Sequence, residues 1–135
     1  MPKPNRTRPV SASQVRSYAG KAQEYFDASE SKLAAGRNIA ATSLAVHAGI
    51  NSADAVCGAR SGSRSAGEDH DQVLALLKLC GSDGLEVEQQ LRWLLPLKTK
   101  AEYEPDDVPG SVASKAVERA GRCVAVATRL SQQLR

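Results

Sequence analysis

The segment from Ile39 to Gly58 constrains the fold of this chain more than any other feature. Its apolar residues fall on nearly every side of a helix, and its polar exceptions are His47, Asn51 and Asp54. A helix that is apolar all round has no face suited to water, so it lies at the centre of a bundle. The sequence therefore predicts a helical bundle in which residues 39–58 form a buried second helix.

The remaining segments also carry their apolar residues at helical spacing, and no stretch shows the alternation of a strand. Ser11 or Ser13 can cap the first helix, which ends before Gly36. The predicted helices cover about residues 11–35, 39–58, 66–80, 85–95 and 111–134. We therefore predict an all-α fold without a sheet, namely a four- to five-helix up-and-down bundle.

Local signals indicate where the later helices begin and end. Ser65 and Glu68 form a capping-box pattern that predicts the start of the third helix. The segment Ser82-Asp83-Gly84 is typical of a turn, and Pro96 is expected to break or kink the fourth helix. We interpret the charged segment from Leu97 to Pro109 as a connection to the last helix.

The composition favours a single domain with an aliphatic core. The chain has 135 residues, which is enough for one hydrophobic core, and it contains only one Trp, one Phe and three Tyr. Residues 1–10 hold three prolines and three basic residues, so we predict a disordered basic arm followed by a single domain over residues 11–135. The net charge of +3 permits an anionic partner without requiring one.

The cysteines and the hydropathy pattern indicate a cytoplasmic protein. Cys57, Cys80 and Cys123 are odd in number and form no CxxC pair, so neither a disulfide framework nor a zinc site is expected. No apolar run follows the basic N-terminal residues, and the longest weakly polar stretch, residues 39–50, is too short to span a bilayer. We expect no metal or other cofactor and no membrane association.

The loop before the third helix is the strongest candidate for a functional site. Residues 58–70 carry Arg60 and Arg64 among glycines and serines, and His70 follows Arg64 after five residues. This spacing places a fixed cation near the side chain best suited to proton transfer at neutral pH. Free N–H groups at the start of the helix would offer a further site for a phosphate. The alternative is a helix-start histidine bonded to the loop, beside solvated arginines.

The order of these segments resembles that of the HEPN superfamily (higher eukaryotes and prokaryotes nucleotide-binding domains). The resemblance covers about residues 12–133 and rests on the small-residue helix Ala45–Ala55, the Gly-x-x-His at Gly67–His70, the segment Leu97–Tyr103 and a last helix built as Ala-x-x-x-Ala. It implies a bundle of four or five helices that is often a homodimer. Many members are metal-independent ribonucleases, and some are toxins that act beside a nucleotidyltransferase-type antitoxin.

The resemblance also implies roles for individual residues. The family's catalytic motif is an arginine, four to six residues and a histidine, and Arg64 and His70 match that spacing. We therefore predict a metal-independent endoribonuclease of toxin–antitoxin or defence type. In it, Arg64 stabilises the charge that develops on the phosphate, and His70 acts as general acid or base.

Four further residues are predicted to bind RNA or a nucleotide, namely Arg60, Lys98, Lys100 and Tyr103. The basic side chains can contact phosphates, and Tyr103 can stack on a base. The alternative role for Tyr103 is to anchor a loop on the bundle.

A second class of function stays open at this point. The chain could be a noncatalytic interaction module that binds a nucleotide or a partner protein, such as a nucleotidyltransferase-like protein. We expect His47 to be a core histidine bonded to a neighbour, with Asn51 and Asp54 in an interior hydrogen-bonding network or facing a ligand or dimer partner. The basic residues of the last helix are expected to form a solvated face.

Overall fold

A computed structural model describes residues 6–67 and 69–134. It contains the helices α1 (Ala12–Ala34), α2 (Asn38–Ser61), α3 (His70–Lys78), α4 (Gly81–Leu94), α5 (Pro96–Tyr103) and α6 (Gly110–Gln133), and the strands β1 (Thr7–Pro9) and β2 (Ser63–Ser65). Helix dominates, so the predicted all-α class is confirmed, and two three-residue strands depart from it.

Helix α2 is the centre of the bundle, as its sequence predicted. It packs against every other helix of the described residues, and more than half of its residues are buried, among them Ala45, Val46, Ala53 and Val56. Small side chains let the neighbouring helices approach closely: a Cβ at Gly49 would lie 3.1 Å from side-chain atoms of α4. The aliphatic, alanine-rich core follows from this close packing.

The direction of the helices follows from contacts at the two ends of α2. A short turn through Gly36, whose φ is +74°, reverses the chain between α1 and α2. At the first residue of α2, Asn38 lies close to Gly110, the first residue of α6. At the last turn of α2, Arg60 reaches Asp83 of α4, which also binds Arg129 near the end of α6. Helices α2 and α6 are therefore parallel, and α1 and α4 run antiparallel to them.

The third helix begins later than its capping-box pattern predicted. Helix α3 starts at His70, and its N-cap is Asp69, whose carboxylate accepts a hydrogen bond from the Asp71 N–H at 2.8 Å. Ser65 lies in β2 instead, because its backbone pairs with β1. The other half of the predicted capping box, Glu68, lies outside the described residues.

Two further predictions about helix ends are wrong for tertiary reasons. The predicted turn Ser82-Asp83-Gly84 is the first turn of α4, and Gly84 is needed there because a Cβ would lie 2.1 Å from the carbonyl oxygen of Leu77. The predicted connection after Pro96 contains α5. Only Leu95, with helical dihedral angles, separates α4 from α5. The fourth helix therefore breaks at Pro96, as the sequence allowed, and the chain continues as a second helix.

The two strands pair residues that are far apart in the chain. Strands β1 and β2 are antiparallel, with Thr7 opposite Ser65, Arg8 opposite Arg64 and Pro9 opposite Ser63. Two further hydrogen bonds extend the ladder on either side, from Ala66 N to Arg6 O and from Val10 N to Gly62 O, both at 2.9 Å. Residues 7–9 are therefore a strand where a disordered arm was predicted, and residues 1–5 of that arm lie outside the described residues.

The basic residues of α6 pack partly against the neighbouring helix. The single Trp of the chain, Trp93 on α4, is half-buried, and the charged groups of Lys115 and Arg119 lie 5.2 and 4.8 Å from its ring centroid. Arg119 also donates a hydrogen bond to Gln90 at 3.1 Å. The last helix is thus fixed to α4 by cation–π contacts as well as by apolar packing. In the described part of the chain, no helix is long and apolar enough to cross a membrane.

Candidate functional site

The strand pair brings three arginines to one face of a small ribbon. Arg8 lies directly opposite Arg64. Arg6 lies two residues before Arg8, and its carbonyl still belongs to the ladder. Directly opposed side chains of an antiparallel pair lie on the same face with their Cβ atoms about 5 Å apart, and alternate residues share that face. We call Arg6, Arg8 and Arg64 the arginine ribbon. Like charges in this arrangement repel, so an anion would stabilise it.

Arg64 is held in place by contacts with its surroundings. Its guanidinium donates a hydrogen bond to the Ser65 carbonyl at 3.1 Å and lies 5.8 Å from the ring centroid of Tyr18 on α1. The side chain is half-buried, whereas Arg6 and Arg8 are exposed. Arg64 is therefore a pre-positioned cation, and the other two arginines are free to adapt to a ligand.

A half-buried carboxyl group lies near Arg64. Burial raises the pKa of Asp54, on the last third of α2, from 3.8 to about 6, although the nearby charges of Arg64 and Lys21 lower it. Desolvation therefore outweighs the attraction of two cations. The result is a carboxyl group that changes charge near pH 6, beside an arginine.

His70 is the first residue of α3 and is half-buried. The Asp69 carboxylate already binds the N–H of Asp71 at this helix end. The idea that the free N–H groups of this end hold a phosphate is therefore weakened, because a carboxylate occupies one of them and repels a second anion. A phosphate near His70 would therefore be attracted by the arginine ribbon rather than by the helix end.

Arg60 belongs to a different cluster. It forms a salt bridge with Asp83, which also accepts a hydrogen bond from Arg129 at 2.6 Å. These two arginines hold the pKa of Asp83 below its ordinary value. The charge of Arg60 is thus balanced within the protein, which argues against its predicted role in substrate binding.

The other three predicted binding residues lie on α5. Lys98 and Lys100 are half-buried, and Tyr103 is 73% exposed, so Tyr103 does not anchor a loop. Helix α5 meets the first half of α2, whereas the arginine ribbon follows the end of α2. With a rise of 1.5 Å per residue, the two positions are about 20 Å apart along α2. The structure does not bring the α5 residues together with Arg64 and His70.

A polar network joins α5 to α2. The Glu102 carboxylate is 2.9 Å from His47 Nε2 and accepts a hydrogen bond from Ser43 at 3.0 Å. The His47 ring also stacks on Tyr25 of α1, with 5.5 Å between the centroids. His47 does bond to a neighbour, as predicted, but its side chain is 36% exposed rather than in the core. Because Glu102 binds both partners through one oxygen, Ser43 and His47 do not form a nucleophile–base pair.

Asn51 and Asp54 complete the polar face of α2 that the sequence indicated. The Asn51 side chain donates to the His47 carbonyl at 2.9 Å, within its own helix. Asp54 was noted as a polar exception, but nothing local marks its shifted pKa, which depends on packing. The pattern Arg6-x-Arg8 before Pro9 was a usable signal for the ribbon, since alternating side chains of one charge suit one face of a strand.

No group of histidine, cysteine, aspartate or glutamate side chains among residues 6–67 and 69–134 could hold a metal ion. The HEPN resemblance stays a prediction. Comparison of the chain with protein-family models and with curated proteins gives no match.

Proposed function

We propose that this chain is a HEPN-like protein that binds RNA at the arginine ribbon and cleaves it without a metal ion. The observation that carries the proposal is the pairing of Arg8 with Arg64. The strand register places these two arginines opposite each other, so their charges repel, and a phosphodiester that binds both would relieve this repulsion. His70 begins the helix that follows this strand pair.

The proposed reaction needs only the groups of the RNA and of this chain. The 2′-hydroxyl attacks the neighbouring phosphorus, and the 5′-oxygen of the next nucleotide leaves. Arg64 stabilises the charge on the phosphate oxygens, because it is fixed in position before the reaction starts. His70 transfers a proton at the attacking or the leaving oxygen. Burial raises the pKa of Asp54 to about 6, so the charge beside Arg64 changes around that pH.

The test is cleavage of a fluorescent single-stranded RNA by the full chain in excess EDTA. We expect His70→Ala and Arg64→Ala each to reduce the rate by about 10²- to 10⁴-fold, with the helical circular dichroism signal unchanged. The matched control is Arg122→Ala, which removes an exposed arginine of α6 that pairs with Glu118, and it should cut like the unmodified chain. Equal cutting by His70→Ala, or no cutting of any RNA by any variant, would remove the catalytic proposal.

A second candidate function is a noncatalytic interaction module. A groove of about 610 Å³ between α3 and α4 is lined by Leu74, Ala75 and Leu79, and Leu79 is 78% exposed. An exposed leucine beside a groove is typical of a surface that binds another helix. A second copy of the chain, as the HEPN resemblance implies, or a nucleotidyltransferase-like protein would be the partner.

The oligomeric state tests this second candidate. Sedimentation equilibrium at tens of micromolar should give a dimer for the unmodified chain and a monomer for Leu79→Lys, because a buried lysine without a partner is costly. A monomer in both cases would argue against the homodimer, and unchanged RNA cleavage by Leu79→Lys would separate this surface from the arginine ribbon.

A further inference from the structure

A second basic surface lies on the first half of α6, whereas the arginine ribbon follows the end of the parallel helix α2. It contains a cavity of about 330 Å³ that follows one side of α6. The sequence predicted only a solvated basic face here, because spacing along a helix does not show which groups of other helices lie beside it. The lining consists of two serines, three basic residues and one carboxylate, namely Ser111, Ser114, Lys115, Glu118, Arg119 and Arg122.

Two of these cations are held in position by α4. Lys115 Nζ lies 5.2 Å from the ring centroid of Trp93, and the guanidinium carbon of Arg119 lies 4.8 Å from the same centroid. Arg119 also donates a hydrogen bond at 3.1 Å to the side chain of Gln90, which is only 4% exposed. The aromatic ring and the buried amide therefore hold two positive charges together, four residues apart on one helix.

The charges that line the cavity do not cancel. Arg122 Nη2 lies 2.9 Å from the carboxylate of Glu118, so this pair is neutral. Within residues 6–67 and 69–134, no carboxylate forms an ion pair with Lys115 or Arg119. Like charges four residues apart on a helix repel each other, so a bound anion would stabilise this pair. The cavity thus presents two uncompensated positive charges to solvent.

We propose that this cavity is a second anion site, which binds the phosphate group of a phosphate monoester. A monoester carries about 1.5 to 2 negative charges at pH 7 and matches the two free cations, whereas a phosphodiester carries only one charge. Lys115 and Arg119 can donate charge-assisted hydrogen bonds to its oxygens. The hydroxyl groups of Ser111 and Ser114, both exposed on the same side of α6, can donate two more.

The test is a titration of the full chain with methyl phosphate at low ionic strength, followed by tryptophan fluorescence. Trp93 is the single tryptophan and lies next to both cations, so an anion that binds them should change its emission in a saturable way. Dimethyl phosphate, a diester with one negative charge, should bind at least ~5-fold more weakly, because a charge-assisted contact is lost. Equal affinities for the two compounds, or no saturable response to methyl phosphate, would overturn the proposal.

Variants of the lining residues distinguish this site from a general attraction to basic charge. Lys115→Gln and Arg119→Gln should each weaken methyl phosphate binding about 5- to 10-fold. Glu118→Gln releases Arg122 from its ion pair and should strengthen binding about 2-fold. The matched control is Arg129→Gln, which removes a cation of the same helix outside the cavity and should leave the affinity unchanged. Equal losses in Arg119→Gln and Arg129→Gln would contradict the proposal.

Calorimetry keeps the proposal testable where a variant alters the tryptophan signal itself. It measures the affinities of methyl phosphate and dimethyl phosphate directly, and their comparison in the unmodified chain decides the outcome if a variant does not fold. An affinity for methyl phosphate no greater than that for dimethyl phosphate would again overturn the proposal.

Two further ligands identify the source of the phosphate group. AMP represents a free nucleotide, and a short RNA with a 5′-phosphate represents the end of a nucleic acid. A change in Trp93 emission with either of them supports the site, whereas an equal change with the same RNA bearing a 5′-hydroxyl group would count against a monoester site. Methyl phosphate has no 2′-hydroxyl group and cannot undergo the proposed cleavage. Failure of the ribonuclease function therefore leaves this inference standing, and the reverse holds as well.

Discussion

Two pairs of arginines lie around the C-terminal end of α2. The charges of one pair are neutralised by a carboxylate of the protein, and those of the other pair are not. Arg60 and Arg129 come from different helices and converge on one carboxylate, that of Asp83. Arg8 and Arg64 face each other across two strands, and among the described residues no carboxylate forms an ion pair with either. The charges of the first pair are neutralised within the protein, and the second pair could bind an anion from solution.

The two aspartates beside these arginines show the same contrast. Salt bridges lower the pKa of Asp83, whereas burial raises the pKa of Asp54 to about 6 in spite of Arg64. The direct salt bridges of Asp83 thus outweigh its desolvation, whereas the charge of Arg64, which forms no salt bridge with Asp54, does not outweigh the desolvation of Asp54. The presence of arginine and aspartate near each other in a fold does not by itself indicate a stabilising pair.

The largest expected effect concerns RNA affinity. Replacing both Arg8 and Arg64 by Ala should weaken binding of a single-stranded RNA about 10- to 100-fold and reduce the salt dependence by about two phosphate contacts. The matched variant, with Arg60 and Arg129 both replaced by Ala, should change affinity less than ~2-fold, since those charges are already bound. Fluorescence anisotropy at several salt concentrations measures both. Equal losses in the two double variants would erase the distinction between the pairs.

The next effect concerns stability near Asp54. Its folded pKa of about 6 lies above the ordinary value of about 3.9, so the native state binds more protons than the unfolded state between about pH 4 and pH 6. Stability should therefore fall as the pH rises through that window. Asp54→Asn removes this cost and should stabilise the fold by about 1 to 2 kcal/mol at pH 7 and by nothing at pH 4. Urea unfolding at both pH values checks this, and an Asn variant less stable at pH 7 would contradict it.

Asp83 should show the opposite pH dependence. Its pKa is lowered in the folded state, so its contribution is present above the unfolded pKa of about 3.9 and is lost as the pH falls through the lower, folded value. Asp83→Asn should destabilise the chain by about 1 kcal/mol at pH 7, a modest amount because both arginines are exposed and screened. Thermal melts should show a larger difference between Asp83→Asn and the unmodified chain at pH 7 than at pH 3.

The smallest expected effect is the difference in stability between two variants that each lack one arginine. Arg129→Ala removes a salt bridge and should destabilise the fold by about 0.5 kcal/mol. Arg8→Ala removes a repulsion between opposed strand residues and should leave stability unchanged or raise it by up to about 0.5 kcal/mol. Chemical denaturation in low salt resolves effects of this size when both variants are measured together. A destabilised Arg8→Ala would mean that Arg8 has a partner in the folded chain.

Local patterns in the sequence were enough to predict the long helices α1, α2 and α6, but not the starts of α3 and α4, the helix α5 or the surroundings of the site. The buried second helix follows from its all-round apolar surface, and the cap of α1 at Ser11 follows from a short-range hydrogen bond with Gln14. The pairing of β1 with β2 is different, because it joins residues that precede α1 to residues that follow α2 in the chain. A three-residue strand that contains Pro9 is too short for a reliable periodicity, and only the alternation of Arg6 and Arg8 marks it.

The sequence did not predict the start of α4 or the surroundings of the candidate site, for a related reason. Ser82-Asp83-Gly84 looks like a turn in isolation, but Asp83 binds two distant arginines and Gly84 allows close contact with α3. Spacing alone singled out Arg64 and His70. The neighbours of Arg64, namely Arg8 across the strand pair and Asp54 on α2, are set by packing across the fold.

The position of the single tryptophan decides what intrinsic fluorescence can report. Trp93 lies between α4 and α6 with two cations near its ring, about 15 Å along α4 from the helix start where Asp83 lies. The intensity and wavelength of its emission should change when these two helices separate. They should not change when RNA binds to the arginine ribbon. Tyr18 lies next to Arg64, so tyrosine fluorescence is the signal that should report a ligand at the arginine ribbon. A titration that relies on tryptophan would record a tight complex as no binding at all.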